Sequence, residues 1–322
     1  MAISAIFVAA TISRVDLAEV AHALGRVSFI GVALAIIFVG LELVLRGIRW
    51  QRLLAPLVVI PVRRSVAYLA IGYFANTMLP ARLGDVARAF LAGRSFGVSR
   101  LSVLGTVVVE RLLDGVFILA LVAVLGLNVV GGGSLATTAA WLVLVAAIGA
   151  TGLVIVIALV RRAGEGAARD RMRSLLDRIL LGAAALRSWS VSALVLFLTV
   201  AAFAAAVAMF ALIADAAGVE LSIVQCVLAM GGLALSTSIP AAPGSIGTYE
   251  FVGLTILTAL GLEPEVSLAI VVVVHLVATL PVALAGLIAA WHLHFRVSDI
   301  AADADPLNVG EELPGAATSV DR

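Results

Sequence analysis

A Pro, an Asn, two Gly, two Arg and an Asp stand inside an otherwise apolar block at residues 72–88, which reads GYFANTMLPARLGDVAR. The block has a partner. At 160 positions further on, Gly72 falls on Gly232, Asn76 on Ser236, Thr77 on Thr237, Leu79 on Ile239, Pro80 on Pro240, Ala81 on Ala241 and Gly84 on Gly244. Proline removes a backbone donor and breaks a helix, so each block reads as two short helices joined by a turn. Paired interruptions at matching places in two halves mark the central binding site in membrane proteins built from inverted repeats.

The surroundings require a membrane. Hydrophobic residues make up 63% of the chain and charged ones 13%, and several runs exceed the ~18 apolar residues needed to span a bilayer. All 21 basic residues are Arg. The lack of Lys excludes a P-loop lysine and a Schiff-base lysine. Cys226 is the single cysteine, so no internal disulfide forms. No HExxH, CxxC or nucleophile-elbow pattern is present, and the four His are scattered. Catalysis is therefore not expected, and neither is a cofactor, a metal site or a nucleic-acid partner.

Charge placement predicts topology through the excess of Arg on the cytoplasmic side. Residues 1–12 are apolar but too short to span, and read as a half-helix or as the product of a late-assigned start codon. Residues 13–28 read as a polar connection and 29–45 as a span, in which Glu42 and Arg46 lie one turn apart. Arg46, Arg49, Arg52, Arg63 and Arg64 then mark the inside. The first hairpin, 65–92, leaves and returns on that face. Spans follow at 101–127, 137–160 and 191–213, with an amphipathic interfacial helix predicted within 161–187, where Arg outnumbers acid. The second hairpin, 222–262, begins and ends outside, and 266–291 returns inside. Three spans between the hairpins reverse their orientation.

The predicted fold is thus an all-α polytopic membrane protein, an inverted repeat with two re-entrant helical hairpins whose tips meet near the midplane. The membrane domain covers 1–297, with halves of about 29–127 and 191–291, and 298–322 is a disordered cytoplasmic tail. Both termini are expected to be cytoplasmic.

Ionisable groups at membrane depth cost about 2.5–3.5 kcal/mol each on insertion scales, so their clustering carries information. Arg82, Asp85 and Arg88 follow one another at helical spacing, and Glu110, Arg111 and Asp114 open the next span. Two carboxylates one turn apart repel unless a cation or proton lies between them. Arg82 or Arg88 would supply that cation, whether in a ligand site or in a structural salt-bridge network. In the second hairpin Ser236, Thr237, Gly244 and Gly247 mark an unwound, hydroxyl-rich turn whose amides suit an anion. Glu250 follows, either as a cation or proton site or as an internal partner for an arginine. His275 in the last span reads as a packed or hydrogen-bonded residue, with a proton relay as the alternative.

Three motifs together resemble the transmembrane, flippase-like region of lysylphosphatidylglycerol synthases and its stand-alone relatives. They are Asn76-x-x-Leu79-Pro80-x-Arg82-x-Gly84-Asp85-x-x-Arg88, Glu110-Arg111-x-x-Asp114 and Pro240-x-x-Pro243-Gly244-x-x-Gly247-x-x-Glu250. The resemblance runs from about residue 15 to 295. Asp85 departs from it, because family members commonly carry Glu there. The resemblance implies an inner-membrane protein that moves a phospholipid or lipid-linked head group between leaflets, without the synthase activity of two-domain members. Its expected partners are anionic or lipid-linked membrane lipids, and either a second copy of the chain or a separate lipid-modifying enzyme. A small-solute or ion transporter and a non-transporting assembly partner are the other classes considered.

Overall fold

The computed structural model describes residues 2–79, 83–130, 177, 180–237 and 242–293, and every regular element among them is helical. Arg82, the span at 137–160, about two thirds of the amphipathic stretch and the tail lie outside the described residues.

Helix α1 (Ala2–Ile12) is followed by α2 (Leu17–Gly25) and α3 (Phe29–Leu54). The connection expected at 13–28 is thus mostly helix. Asp16 starts α2 by accepting the Ala18 N–H at 2.8 Å, an N-cap interaction typical of Asp. Val20 of α2 packs with Leu254, Leu268 and Ala269. Helix α3 also runs nine residues beyond the predicted span end, to Leu54. Arginine is a good helix former, and the first strong breaker is Pro56, which has no N–H to continue the helix ladder. Arg46, Arg49 and Arg52 are therefore helical residues and not loop residues.

The first hairpin consists of α4 (Val62–Met78) and α5 (Leu83–Phe96), and α6 (Arg100–Val130) follows. The second half begins with a 3-10 turn at Ala184–Arg187 and continues through α7 (Trp189–Ala216), α8 (Ile223–Ser236), α9 (Thr248–Ala259) and α10 (Pro264–His292). Ser222 and Gln225 form a reciprocal capping box at the start of α8. Helices α3, α7 and α10 have 26, 28 and 29 residues and are long and apolar enough to cross a membrane. At 1.5 Å per residue each exceeds the ~30 Å hydrocarbon core. Helix α6 is longer still at 31 residues, but carries Glu110, Arg111 and Asp114.

Long, short, short, long is the order of helices in both halves. The packing follows the same scheme. Helices α3 and α7 lie along each other, α4 packs on α10, and α8 packs on α6. The first helix of each hairpin thus rests on the last helix of the other half. Close approach within the first hairpin depends on glycine, since a Cβ on Gly84 would lie 1.9 Å from the Gly72 carbonyl oxygen. One apolar core, containing Val39, Phe203, Phe210, Leu233, Ile270 and Val274, joins the two halves. A second gathers around Trp50, Tyr68 and Val103.

Candidate functional site

Both hairpins end in turns that are held by side chains. In the first, the Asn76 carboxamide oxygen accepts the Gly84 N–H at 2.8 Å, which fastens the end of α4 to the start of α5. In the second, Gly244, Ser245 and Gly247 have φ of 70°, 61° and 87°, left-handed values that favour glycine. The Ser245 N–H goes to the Ala242 carbonyl at 2.9 Å and the Gly247 N–H to Glu250 Oε2 at 2.6 Å. Those two amides are thus engaged within the turn, one of them by the Glu250 carboxylate. Helix α1 closes over the turn, where Ser4 Oγ accepts the Ala242 N–H at 2.7 Å and Phe7 meets Phe251 with ring centroids 4.8 Å apart.

A cavity of about 450 Å³ lies between the two turns. Asn76, Thr77, Leu79 and Asp85 line it from the first hairpin, and Thr237, Ala242, Gly244, Ser245 and Tyr249 from the second. Glu42 and Arg46 of α3, Tyr73 of α4, Arg111 of α6 and His275 and Thr279 of α10 complete the polar wall. Of the expected site residues, Asn76, Asp85, Arg111, Thr237 and Gly244 reach this cavity. Arg88, Glu110, Asp114, Ser236, Gly247 and Glu250 are absent from its lining.

Arg88, expected at a head group or in a structural salt-bridge network, lies in such a network: its side chain is 0% exposed, and its guanidinium lies over the Trp50 ring at 5.0 Å. It pairs with Glu110 at 3.0 Å and with Asp85 at 3.3 Å. A second finding is that Arg49, which charge counting assigned to the cytoplasmic rim, lies at the centre of the ionic network with 0% side-chain exposure. Its Nη2 donates to Glu110 at 2.9 Å and to Asp114 at 3.0 Å. Its Nη1 donates to the other Asp114 oxygen and, at 2.9 Å, to Thr199 of α7. Arg46 adds bonds to Glu42 at 2.7 Å and Asp114 at 3.0 Å. Arg111 bonds Glu110 at 3.2 Å and approaches Asp85 at 3.9 Å.

Among the described residues Arg46, Arg49, Arg88 and Arg111 therefore face Glu42, Asp85, Glu110 and Asp114, four charges of each sign. The carboxylate pair on α6 obtains its cations chiefly from α3, with Arg88 serving Glu110 alone. For Arg49 such burial is tolerable because opposite charge and several hydrogen bonds offset desolvation, whereas Arg88 has its ion pairs and the Trp50 ring but no side-chain hydrogen bond among the described residues. Of the four guanidiniums, Arg46 and Arg111 line the cavity and keep 16% and 28% of their side-chain surface. Glu250 pairs with His275, not with an arginine.

Long apolar helices around a buried ionic network and a cavity between two helix breaks define a multi-pass membrane protein. The chain belongs to the family described as the lysylphosphatidylglycerol synthase transmembrane region, whose match covers residues 1–286. A search of curated proteins found no match.

Proposed function

We propose that the protein translocates a lipid with a phosphate-bearing head group between leaflets, and that the head group enters the cavity between the two hairpin turns. The observation that carries this reading is one cavity, lined by both turns, into which Arg46 and Arg111 present guanidinium groups. Guanidinium stays charged and can bind two phosphate oxygens at once. The cavity is on the scale of small-molecule sites, ~300–1,000 Å³, enough for a head group while the acyl chains remain in lipid. Arg82 is proposed for the same site from the sequence alone, because it stands between Asn76 and Asp85.

Alternating access would come from an inverted repeat. The exchange of contacts between halves, α4 on α10 and α8 on α6, supports it. The hairpin helices have 17, 14, 14 and 12 residues, each shorter than the ~20 needed to span, which supports re-entry. On this reading the protein sits in the cell membrane with both termini cytoplasmic. It works without a catalytic step, a cofactor or a metal, alone, as a homo-oligomer, or beside a separate lipid-modifying enzyme.

The test is a leaflet-asymmetry assay in phosphatidylethanolamine vesicles. These carry trace fluorescent phosphatidylglycerol, an aminoacylated phosphatidylglycerol or a polyprenyl phosphate. Protein-dependent movement of at least one of them, lost in Arg111→Gln and in Arg82→Gln, is expected. Absence of movement for all three with folded protein would remove the reading.

A further inference from the structure

The helix boundaries place two ion pairs at equivalent positions in the halves. Asp85 is the third residue of α5 and Glu250 the third residue of α9, while Arg111 is the twelfth of α6 and His275 the twelfth of α10. Each acid, just past its turn, faces the base on the following long helix: Asp85 to Arg111 at 3.9 Å, and Glu250 to His275 Nδ1 in a direct hydrogen bond. The halves thus share one fastening with different chemistry. Arginine keeps its proton in proteins, whereas histidine exchanges its proton near neutral pH.

The second fastening holds both sides of its turn. His275 Nε2 lies 2.9 Å from the Gly244 carbonyl oxygen, while Glu250 Oε2 accepts the Gly247 N–H. Both ring nitrogens therefore face oxygen acceptors. A neutral imidazole has a single N–H, so one of these contacts would set a lone pair against an oxygen. The imidazolium satisfies both. The ring also has a route for its proton, because His275 lines the cavity with 12% of its side chain exposed.

We propose that His275 and Glu250 form a proton-operated latch on the second hairpin turn. With the proton bound, the turn is fastened to α10; without it, one fastening contact is lost and the turn is free to move. The corresponding Asp85–Arg111 contact contains no imidazole, so the latch acts on one half only. Other groups contribute to the field at His275. Tyr249 of α9 stacks on the ring at 4.3 Å, and the Thr279 hydroxyl donates to the His275 carbonyl. Glu42 and Arg46 of α3, Tyr73 of α4, Asp85 of α5 and Arg111 of α6 line the same cavity. The latch stands on this geometry alone, whereas a role as the proton-coupling step of transport rests on the translocator reading above.

Hydrogen exchange of the peptide covering 242–250, followed by mass spectrometry and corrected for the intrinsic pH dependence of amide exchange, reads the latch without substrate. Between about pH 5 and pH 8, protection of the wild-type turn should fall about tenfold or more, the scale of one charge-assisted hydrogen bond. His275→Arg should keep the turn protected throughout, and His275→Gln should leave it weakly protected throughout. A flat wild-type profile, or an unchanged wild-type slope in His275→Gln, would overturn the proposal, even if His275→Arg does not fold. Running the vesicle assay in parallel separates the two readings. A pH-dependent turn with no lipid movement removes the translocator and keeps the latch, and lipid movement with a flat turn does the opposite.

Discussion

Replacing Arg49 with Met tests whether the ionic network is structural. The substitution keeps an unbranched, shorter apolar stem and removes the charge and the hydrogen bonds to Glu110, Asp114 and Thr199. Glu110 would retain Arg88 at 3.0 Å and Arg111 at 3.2 Å, and Asp114 would retain Arg46 at 3.0 Å. One negative charge would nevertheless be left over in a site where Arg49 and Glu110 have no exposed side-chain surface. Removing one member of a buried ion pair costs about 3–5 kcal/mol, and the partial compensation places this variant near the lower end. Arg46→Met is the comparison, because Arg46 lines the cavity and keeps 16% of its side-chain surface, so the charge left over lies beside the cavity and its loss should cost less than that of Arg49. Asp114→Asn in the Arg49→Met background restores neutrality, so the double variant should cost about 2 kcal/mol less than the sum of the singles. Unfolding by SDS in mixed micelles reads all four proteins. A cost below about 1 kcal/mol for Arg49→Met, or additivity in the double variant, would refute a structural network.

Arg111→Gln should lose lipid movement with little loss of stability, because Arg111 lines the cavity at the edge of the network, whereas Arg88→Gln should lose stability first; vesicle assays and SDS midpoints on the same preparations separate the two. Gly84→Ala should destabilise the protein by about 1–3 kcal/mol, since its Cβ would meet the Gly72 carbonyl oxygen, while Gly115→Ala, with nothing within 4 Å, should be neutral or better; equal unfolding midpoints would refute the close crossing of α4 and α5. For topology, Glu220→Cys should react with an impermeant maleimide on intact cells and Ser188→Cys only after permeabilisation. Buried Cys226 should stay silent, and the reverse labelling pattern would refute the orientation.

The two hairpins are legible in the sequence because proline and glycine act locally: Pro80 and Pro240 announce breaks, and Gly84 announces a close approach. The need of Glu110 and Asp114 for a cation is legible for the same reason, since their spacing places them one turn apart. The identity of the chief donor is not. Arg49 lies 65 residues from Asp114, and near the end of an apolar run it has the same appearance as an arginine that marks the cytoplasmic face. Its spacing from Arg46, three residues on a helix that also carries Glu42, is the available signal that these arginines belong to one buried face. Pairing of Glu250 with His275 is hidden likewise, because these residues stand 165 and 164 positions after Asp85 and Arg111, outside the 160-position spacing of Gly72 and Gly232.

The distance along the chain between Arg49 and its carboxylates also bears on how the protein is made. At roughly 5–20 residues per second of synthesis, Asp114 follows Arg49 by about 3–13 s. During that interval α3 enters the bilayer with Arg46 and Arg49 unmatched by α6, and with Glu42 as the only acid it carries. Both arginines lie in the last third of α3, where long basic side chains can reach toward the head groups. Arrival of α6 then draws them from that boundary into the bundle. Insertion of α3 is therefore expected to precede its assembly, and a chain truncated before α6 should insert α3 without the carboxylates that hold Arg49 in the bundle.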